Sequence, residues 1–79
     1  MNPNPADSDF IFTAVESTTF SHVAYDASRQ LLWLKFQNRA VYCYFGVPPQ
    51  IHQQLMNASS NGKHFNLCIR PYFPYQKQD

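Results

Sequence analysis

The chain carries three strand-length segments separated by short polar turns, and this arrangement limits it to a small fold built on a sheet. The segments occupy residues 20–25, 31–37 and 40–45. Apolar side chains recur along them with the period of two that is typical of a strand. Residues 26–29 and the pair Asn38-Arg39 supply the turns, because Asp, Asn and Ser side chains bond readily to their own backbone. The pattern predicts a three-stranded antiparallel meander.

The alternation also predicts the two faces of this meander. With Asn38-Arg39 as a two-residue turn, one face is apolar and consists of Leu32, Leu34, Phe36, Val41, Cys43 and Phe45. The opposite face carries Trp33, Lys35, Tyr42 and Tyr44. A small sheet is marginal in water until other parts of the chain cover its apolar face.

Two helices are expected to provide that cover. Pro48-Pro49 suits a helix start, where the missing N–H of proline costs nothing. Residues 49–58 follow with apolar side chains at helical spacing, and a shorter helix is predicted at about residues 63–70. The expected fold is α+β, a three-stranded antiparallel meander covered by one longer and one shorter C-terminal helix, in the order β-β-β-α-α.

The length of 79 residues allows one domain. We predict a flexible N-terminal tail at residues 1–14, the domain at residues 15–75 and a C-terminal tail at residues 76–79. No apolar run reaches the ~18 residues of a membrane span, and the first residues lack the basic start and apolar stretch of a signal peptide. A cytoplasmic location is therefore expected.

Charge is distributed unevenly along the chain. Residues 1–26 hold four acidic side chains and no Lys or Arg, whereas residues 27–78 hold all six Lys and Arg side chains and no acid. A long stretch that is basic throughout suits a polyanionic partner. The alternative is that six scattered cations only keep a small protein in solution.

Several segments, taken in order and spacing, point to a known family. They are Ser17-Thr18, Val23-Ala24-Tyr25-Asp26, Phe36, Tyr42-Cys43-Tyr44, Gly46-Val47-Pro48, Leu55, residues 60–66 and Ile69-Arg70. Over about residues 17–75 the chain resembles the KTSC domain, a module found at the C-terminus of some lysyl-tRNA synthetases and as free-standing bacterial proteins. One departure is the turn at Asn38-Arg39, where the family usually has a glycine. Through its attachment to a synthetase, the resemblance implies RNA binding.

The sequence gives little support to cofactor or enzyme chemistry. Its histidines and its two cysteines lack the spacing of a zinc site, and two glycines cannot form a phosphate-binding loop. We expect no metal, no cofactor and no catalysis, with Cys43 and Cys68 as buried free thiols. A metal-free nuclease that uses His52 or His64 with Lys63 stays open as an alternative.

Aromatic and basic side chains on the predicted outer face favour binding of single-stranded nucleic acid. Trp33, Tyr42 and Tyr44 beside Lys35 and Arg39 would form a platform on which bases stack. The alternative is that these rings are structural, covered by residues 72–75 or by Phe10-Ile11-Phe12.

A second basic feature is the loop Asn61-Gly62-Lys63-His64, which leads into the shorter helix. Lys63 and Arg70 could hold a phosphate there, and a solvated helix cap is the alternative. The full predicted set for nucleic-acid binding is Trp33, Lys35, Arg39, Tyr42, Tyr44, Lys63, His64 and Arg70. The predicted function is a non-enzymatic module that binds RNA or another single-stranded nucleic acid. A protein-interaction module that docks through Phe10–Phe12 or the aromatic C-terminal tail is the alternative.

Overall fold

A computed structural model describes residues 12–78 as an antiparallel sheet with two helices. The five strands are β1 (Thr13–Ala14), β2 (Phe20–Asp26), β3 (Leu31–Phe36), β4 (Val41–Phe45) and β5 (Tyr75–Gln78). They lie side by side in chain order, β1-β2-β3-β4-β5. Helix α1 is Pro49–Asn57, and α2 is Asn61–His64, which continues into a π-helical segment, Phe65–Ile69. The α+β class, the three central strands and both helices are confirmed.

The sheet has five strands and not the three that we predicted. β1 and β5 add a strand at each edge, so the sheet includes residues that the expected domain limits of 15–75 left in the tails. Pro74 directly precedes β5, a position that proline tolerates because no ladder N–H is needed there. Most of the predicted N-terminal tail, including Phe10 and Ile11, lies outside the described residues.

The prediction of which β4 side chains share a face with the β3 leucines was wrong, because the observed pairing of β4 with β3 is shifted by one residue. The loop before β4 has three residues, 37–39, closed by hydrogen bonds from Phe36 N to Ala40 O (2.8 Å) and from Arg39 N to Phe36 O (2.9 Å). Arg39 adopts a positive φ of 72°, as the last residue of a three-residue hairpin loop commonly does. A shift of one residue moves every side chain of a strand to the other face.

With the observed register, the tyrosines of β4 face the helices. Leu32 lies opposite Tyr44, Leu34 opposite Tyr42, and Trp33 opposite Cys43. Since opposed residues of antiparallel strands share a face, Tyr42 and Tyr44 belong with the leucines. Cys43 belongs with Trp33 on the other face.

Both faces of the sheet are buried at their centres. The face toward the helices forms a core of Phe20, Val23, Leu32, Leu34, Tyr44, Val47, Leu55, Phe65 and Ile69. The second face has a smaller core of Ala24, Leu31, Trp33 and Cys43, and Phe12, Val41 and Phe45 pack against it. Phe12 therefore covers part of the second face, where Trp33 lies. Cover from the segment Phe10-Ile11-Phe12 was one of the structural alternatives to an exposed stacking platform. Within residues 12–78, no helix is long and apolar enough to cross a bilayer.

Candidate nucleic-acid interface

A groove of about 400 Å³ opens between the β4–β5 edge of the sheet and the π-helical segment. We call it the aromatic groove. Five rings line it, those of Phe36, Tyr42, Tyr44, Phe65 and Tyr75. The remaining lining residues are Thr19, Asn38, Asn66 and Arg70. Its volume falls in the lower part of the range of about 300–1,000 Å³ that is typical of small-ligand sites.

The pairing of β4 with β5 places one exposed ring beside a buried ring and a half-buried ring. Tyr75 lies opposite Tyr44 in the register, with ring centroids 5.4 Å apart, and its centroid is 5.5 Å from that of Tyr42. Tyr44 is 4% exposed, whereas Tyr75 is 58% exposed. Tyr75 is thus the ring of this groove that a planar ligand can reach most easily.

The other four rings of the groove form a floor that is connected by edge-to-face contacts. Phe65 meets Tyr44 edge to face at 5.3 Å and Phe36 at 5.7 Å, and Phe36 meets Tyr42 in the same way at 5.4 Å. Each such pair contributes about 0.5–1.5 kcal/mol beyond the area that it buries. The floor is therefore preorganised, which lowers the cost of binding.

Two cationic side chains lie near this floor. Arg70 lines the groove, and the exposed Lys77 lies on the same face because it is paired with Tyr42. Burial raises the pKa of the Tyr44 hydroxyl to about 12, with Tyr75 acting in the same direction and the Arg70 charge opposing both. Tyr44 therefore keeps its proton at neutral pH. None of the described residues that line the groove is a carboxylate.

A second, more polar depression of about 810 Å³ adjoins the aromatic groove, and we call it the polar cleft. Its lining comes from two segments, residues 16–19 before β2 and residues 59–63 at the start of α2, with Asn66 and Leu67. Thr19 and Asn66 line both depressions, so the two are adjacent. Lys63 belongs to the polar cleft.

A close contact between the two segments holds the polar cleft in shape. Gly62 is buried, and a Cβ at this position would overlap Thr19 Oγ1 and lie 3.1 Å from Thr19 Cβ. Ser60 caps α2 by accepting a hydrogen bond from Lys63 N at 3.3 Å. Asn61 Nδ2 donates to Leu55 O at 2.7 Å, which ties α2 to the end of α1.

The structure brings together only part of the predicted binding set. Tyr42, Tyr44 and Arg70 line the aromatic groove and Lys63 the adjoining polar cleft. The predicted stacking platform is wrong as an arrangement, because Trp33 and Lys35 lie on the opposite face and Trp33 is 0% exposed.

Two further predicted residues lie away from both depressions. Arg39 is an exposed residue of the β3–β4 loop. His64 lines a separate groove with Cys68 and the polar side of α1.

The sequence did not indicate Phe65, Tyr75 or Lys77 as site residues. The sequence pattern indicates that Phe65 is a core residue of a helix, and the structure places it in the core as well as in the groove. Tyr75 and Lys77 alternate along β5 with Gln76 between them, a period of two that is visible in the sequence. That signal is weak because it spans only four residues.

The three groups of the nuclease alternative have different surroundings in the described part of the chain. His52 stacks on Tyr25, with ring centroids 4.2 Å apart and planes 11° apart, and burial lowers its pKa. His64 and Lys63 line different depressions. Within residues 12–78 no group of three or more His, Cys, Asp or Glu side chains could hold a metal ion.

The two cysteines are free thiols, as predicted. Cys43 is buried, and this burial raises its pKa to about 11, with Arg29 acting weakly in the opposite direction. Cys68 is only half-buried, so the prediction of burial holds for one of the two. A thiol with a raised pKa is a poor nucleophile at neutral pH.

Comparison with known proteins gives one consistent family. The sequence model of the KTSC domain family matches residues 16–73. The crystal structure of a KTSC domain protein from Yersinia pestis is similar, with a TM-score of 0.85 and 30% identity over 89% of this chain and 99% of the other.

Curated relatives include both free-standing proteins and parts of larger enzymes. An uncharacterised protein of Stutzerimonas stutzeri is 36% identical over 67 residues, which are 84% of this chain and 94% of that protein. A lysine–tRNA ligase of Nostoc punctiforme is 36% identical over 62 residues, which are 78% of this chain but only 11% of the enzyme. The family match covers most of the described residues, and the chain belongs to the KTSC domain family.

Proposed function

We propose that this chain is a small, non-enzymatic, cytoplasmic module that binds single-stranded nucleic acid, RNA in preference, through the aromatic groove. The observation that carries the proposal is the half-exposed ring of Tyr75, supported by buried Tyr44 and flanked by Arg70. Proteins that bind single strands combine an aromatic ring for each stacked base with cations along the phosphate backbone.

The size of the groove suits one nucleotide at a time. A base on Tyr75 would contribute about 1–3 kcal/mol by stacking. Arg70 and Lys77, both exposed and on the same side of the sheet, would contact the adjoining phosphates. The absence of a carboxylate among the described lining residues removes the repulsion that an anionic backbone would otherwise meet.

The relatives support a partner in RNA. The module also occurs within enzymes named lysine–tRNA ligases, where it is a small part of the whole protein. We take from this that the same fold works beside tRNA in those proteins.

Binding of a fluorescein-labelled eight-nucleotide RNA, followed by anisotropy at increasing salt, tests the proposal. Each phosphate contact in a single strand should lower log K by about 0.7 per decade of salt, so contacts from Arg70 and Lys77 predict a slope of about −1.4. Arg70→Gln should reduce that slope by about 0.7. Lys35→Gln on the opposite face should leave it unchanged.

The chain offers a matched control for the stacking ring. Tyr75→Ala should weaken binding about 5- to 150-fold, the loss of one stacked base, and Tyr75→Phe should restore most of it. Tyr72 is 73% exposed and does not line the groove, so Tyr72→Ala should bind as the parent protein does. No binding at 50 mM salt, or equal losses in the two alanine variants, would refute the proposal.

A protein-interaction module is the second candidate, favoured by exposed apolar side chains. Leu67 and Tyr72 are 60% and 73% exposed, whereas Phe12 of the expected N-terminal contact packs against the second face. Tyr72→Ser should abolish partner capture and leave the free energy of unfolding unchanged if this candidate is right.

A further inference from the structure

The polar cleft differs from the aromatic groove in the kind of group that it can bind. Its lining is rich in hydroxyls, from Ser17, Thr18, Thr19, Ser59 and Ser60. Its charged members in the described chain are one cation, Lys63, and one anion, Glu16. A cleft with balanced charge offers little net attraction to a phosphate, and Glu16 would repel it.

Two of these hydroxyl oxygens are held in place by backbone donors. Ser17 Oγ accepts from Thr19 N at 3.0 Å, and Ser60 Oγ accepts from Lys63 N at 3.3 Å. A hydroxyl that already accepts still has its own hydrogen to donate. Neither hydroxyl donates to another residue within 12–78, so both hydrogens can point to a ligand oxygen.

An amide and two further hydroxyls complete the set. Asn61 uses its Nδ2 on Leu55 O, which leaves the amide oxygen as an acceptor. Thr18 and Ser59 are exposed, and their side chains make no hydrogen bond to another described residue. The cleft therefore offers both donors and acceptors without net charge, which matches a neutral group that also does both.

We infer that the polar cleft binds the ribose hydroxyls of the nucleotide next to the one held in the aromatic groove, and that it thereby selects RNA over DNA. The 2′-hydroxyl both donates and accepts a hydrogen bond, and it is the group that distinguishes the two nucleic acids. This inference rests on the proposed function, since the neighbouring base is placed by Tyr75.

The two depressions are adjacent, so one strand can reach both. Thr19 and Asn66 line each of them. The approach of Thr19 to Gly62 brings the segment before β2 against α2, so the hydroxyls stand beside the end of the aromatic groove. A strand whose base lies on Tyr75 would continue past Asn66 into the cleft.

Three oligonucleotides of one sequence test this inference, an RNA built with uridine, a DNA built with deoxyuridine and a 2′-O-methyl RNA. A hydroxyl contact is worth roughly a fivefold change in affinity, so the RNA should bind about 5- to 10-fold more tightly than the DNA. The 2′-O-methyl RNA should bind less tightly than the RNA, because the methyl group removes the donor and leaves only the oxygen as an acceptor.

A double variant assigns the selectivity to the cleft. Thr18→Val with Ser59→Ala removes two of the hydroxyls of the cleft. It should weaken RNA binding and reduce the ratio of RNA affinity to DNA affinity, and it should leave DNA binding unchanged. Thr13→Val removes an exposed hydroxyl on β1, which lines neither depression, and should preserve the ratio.

The outcomes separate this inference from the proposed function. If neither RNA nor DNA binds, the proposed function fails and the inference fails with it. Equal binding of RNA and DNA by the parent protein leaves the proposed function standing and overturns the inference. An RNA-to-DNA affinity ratio that the double variant leaves undiminished overturns it too. So does an equal gain in RNA and DNA affinity on Glu16→Gln, since that result would mean that the cleft holds a phosphate.

Discussion

The substitution Gly62→Ala should destabilise the protein, although helix propensity alone predicts the opposite. Alanine is favoured over glycine in a helix by about 1 kcal/mol. At this position, however, the new methyl group would overlap Thr19 Oγ1 and lie 3.3 Å from Ser17 Oγ. Overpacking of a closed site costs about 1–3 kcal/mol. The difference predicts a net loss of about 1 kcal/mol in the free energy of unfolding.

The obstructing atom is part of a side chain, so a second substitution can test the cause. Thr19→Ala removes Oγ1 and leaves only the Cβ, 3.1 Å from the added methyl group. In the Gly62→Ala background it should recover most of the lost stability. The non-additivity of the pair should be at least ~0.5 kcal/mol, as is typical of residues in contact.

Urea denaturation provides the measurement. Trp33 is the single tryptophan of the chain and is buried, so its fluorescence should report global unfolding. In thermal melts, each kcal/mol should change the Tm by roughly 4–8 °C for a domain of this size. If Gly62→Ala alone raises the stability, then the contact between the loop before β2 and α2 is not tight, and our account of the polar cleft is wrong.

Three further predictions concern the turns and the second face. Arg39→Gly should raise the free energy of unfolding by about 0.5–1 kcal/mol. A left-handed φ costs a residue other than glycine about 1–2 kcal/mol, and the greater entropy of glycine in the unfolded chain offsets part of the gain from removing that cost. Urea denaturation measures the change, and no gain would contradict the assigned φ. The side chain of Arg29 donates to Asp26 and lowers the pKa of that carboxyl to about 2, so stability should fall as the pH is lowered from about 4 toward 2. Asp26→Asn should be less stable at neutral pH and should show a flatter acid slope in the same denaturation assay. Iodoacetamide at pH 8 should label Cys68 before Cys43, because Cys43 is buried and its pKa is raised. Mass spectrometry over time measures the two labelling rates, and equal rates would contradict the burial of Cys43.

Local pattern was enough to predict the elements that bury their own apolar side chains. β2, β3 and β4 each carry apolar residues at strand spacing, and α1 begins at the Pro48-Pro49 pair as expected. These signals depend on neighbours in the sequence, so a single sequence contains them. The family resemblance, expected over residues 17–75 and found over residues 16–73, follows from the same local segments.

Edge strands are harder to predict from a single sequence. β1 has two residues, and β5 has four with little burial, so neither carries a useful apolar pattern. β5 exists because it pairs with β4, about thirty residues earlier in the chain, and only the folded structure reveals that pairing. Tyr75 and Lys77 therefore could not be placed in the site from sequence. Their position beside Tyr42 and Tyr44 depends on this long-range contact.

The composition of the site follows from the conformation of one loop residue. Arg39 at positive φ allows a three-residue connection between β3 and β4, and this length fixes the register. A two-residue connection would turn Tyr42 and Tyr44 to the second face and put Cys43 under the helices. Arginine at this left-handed position supports the observed register at a cost in stability that glycine would not have.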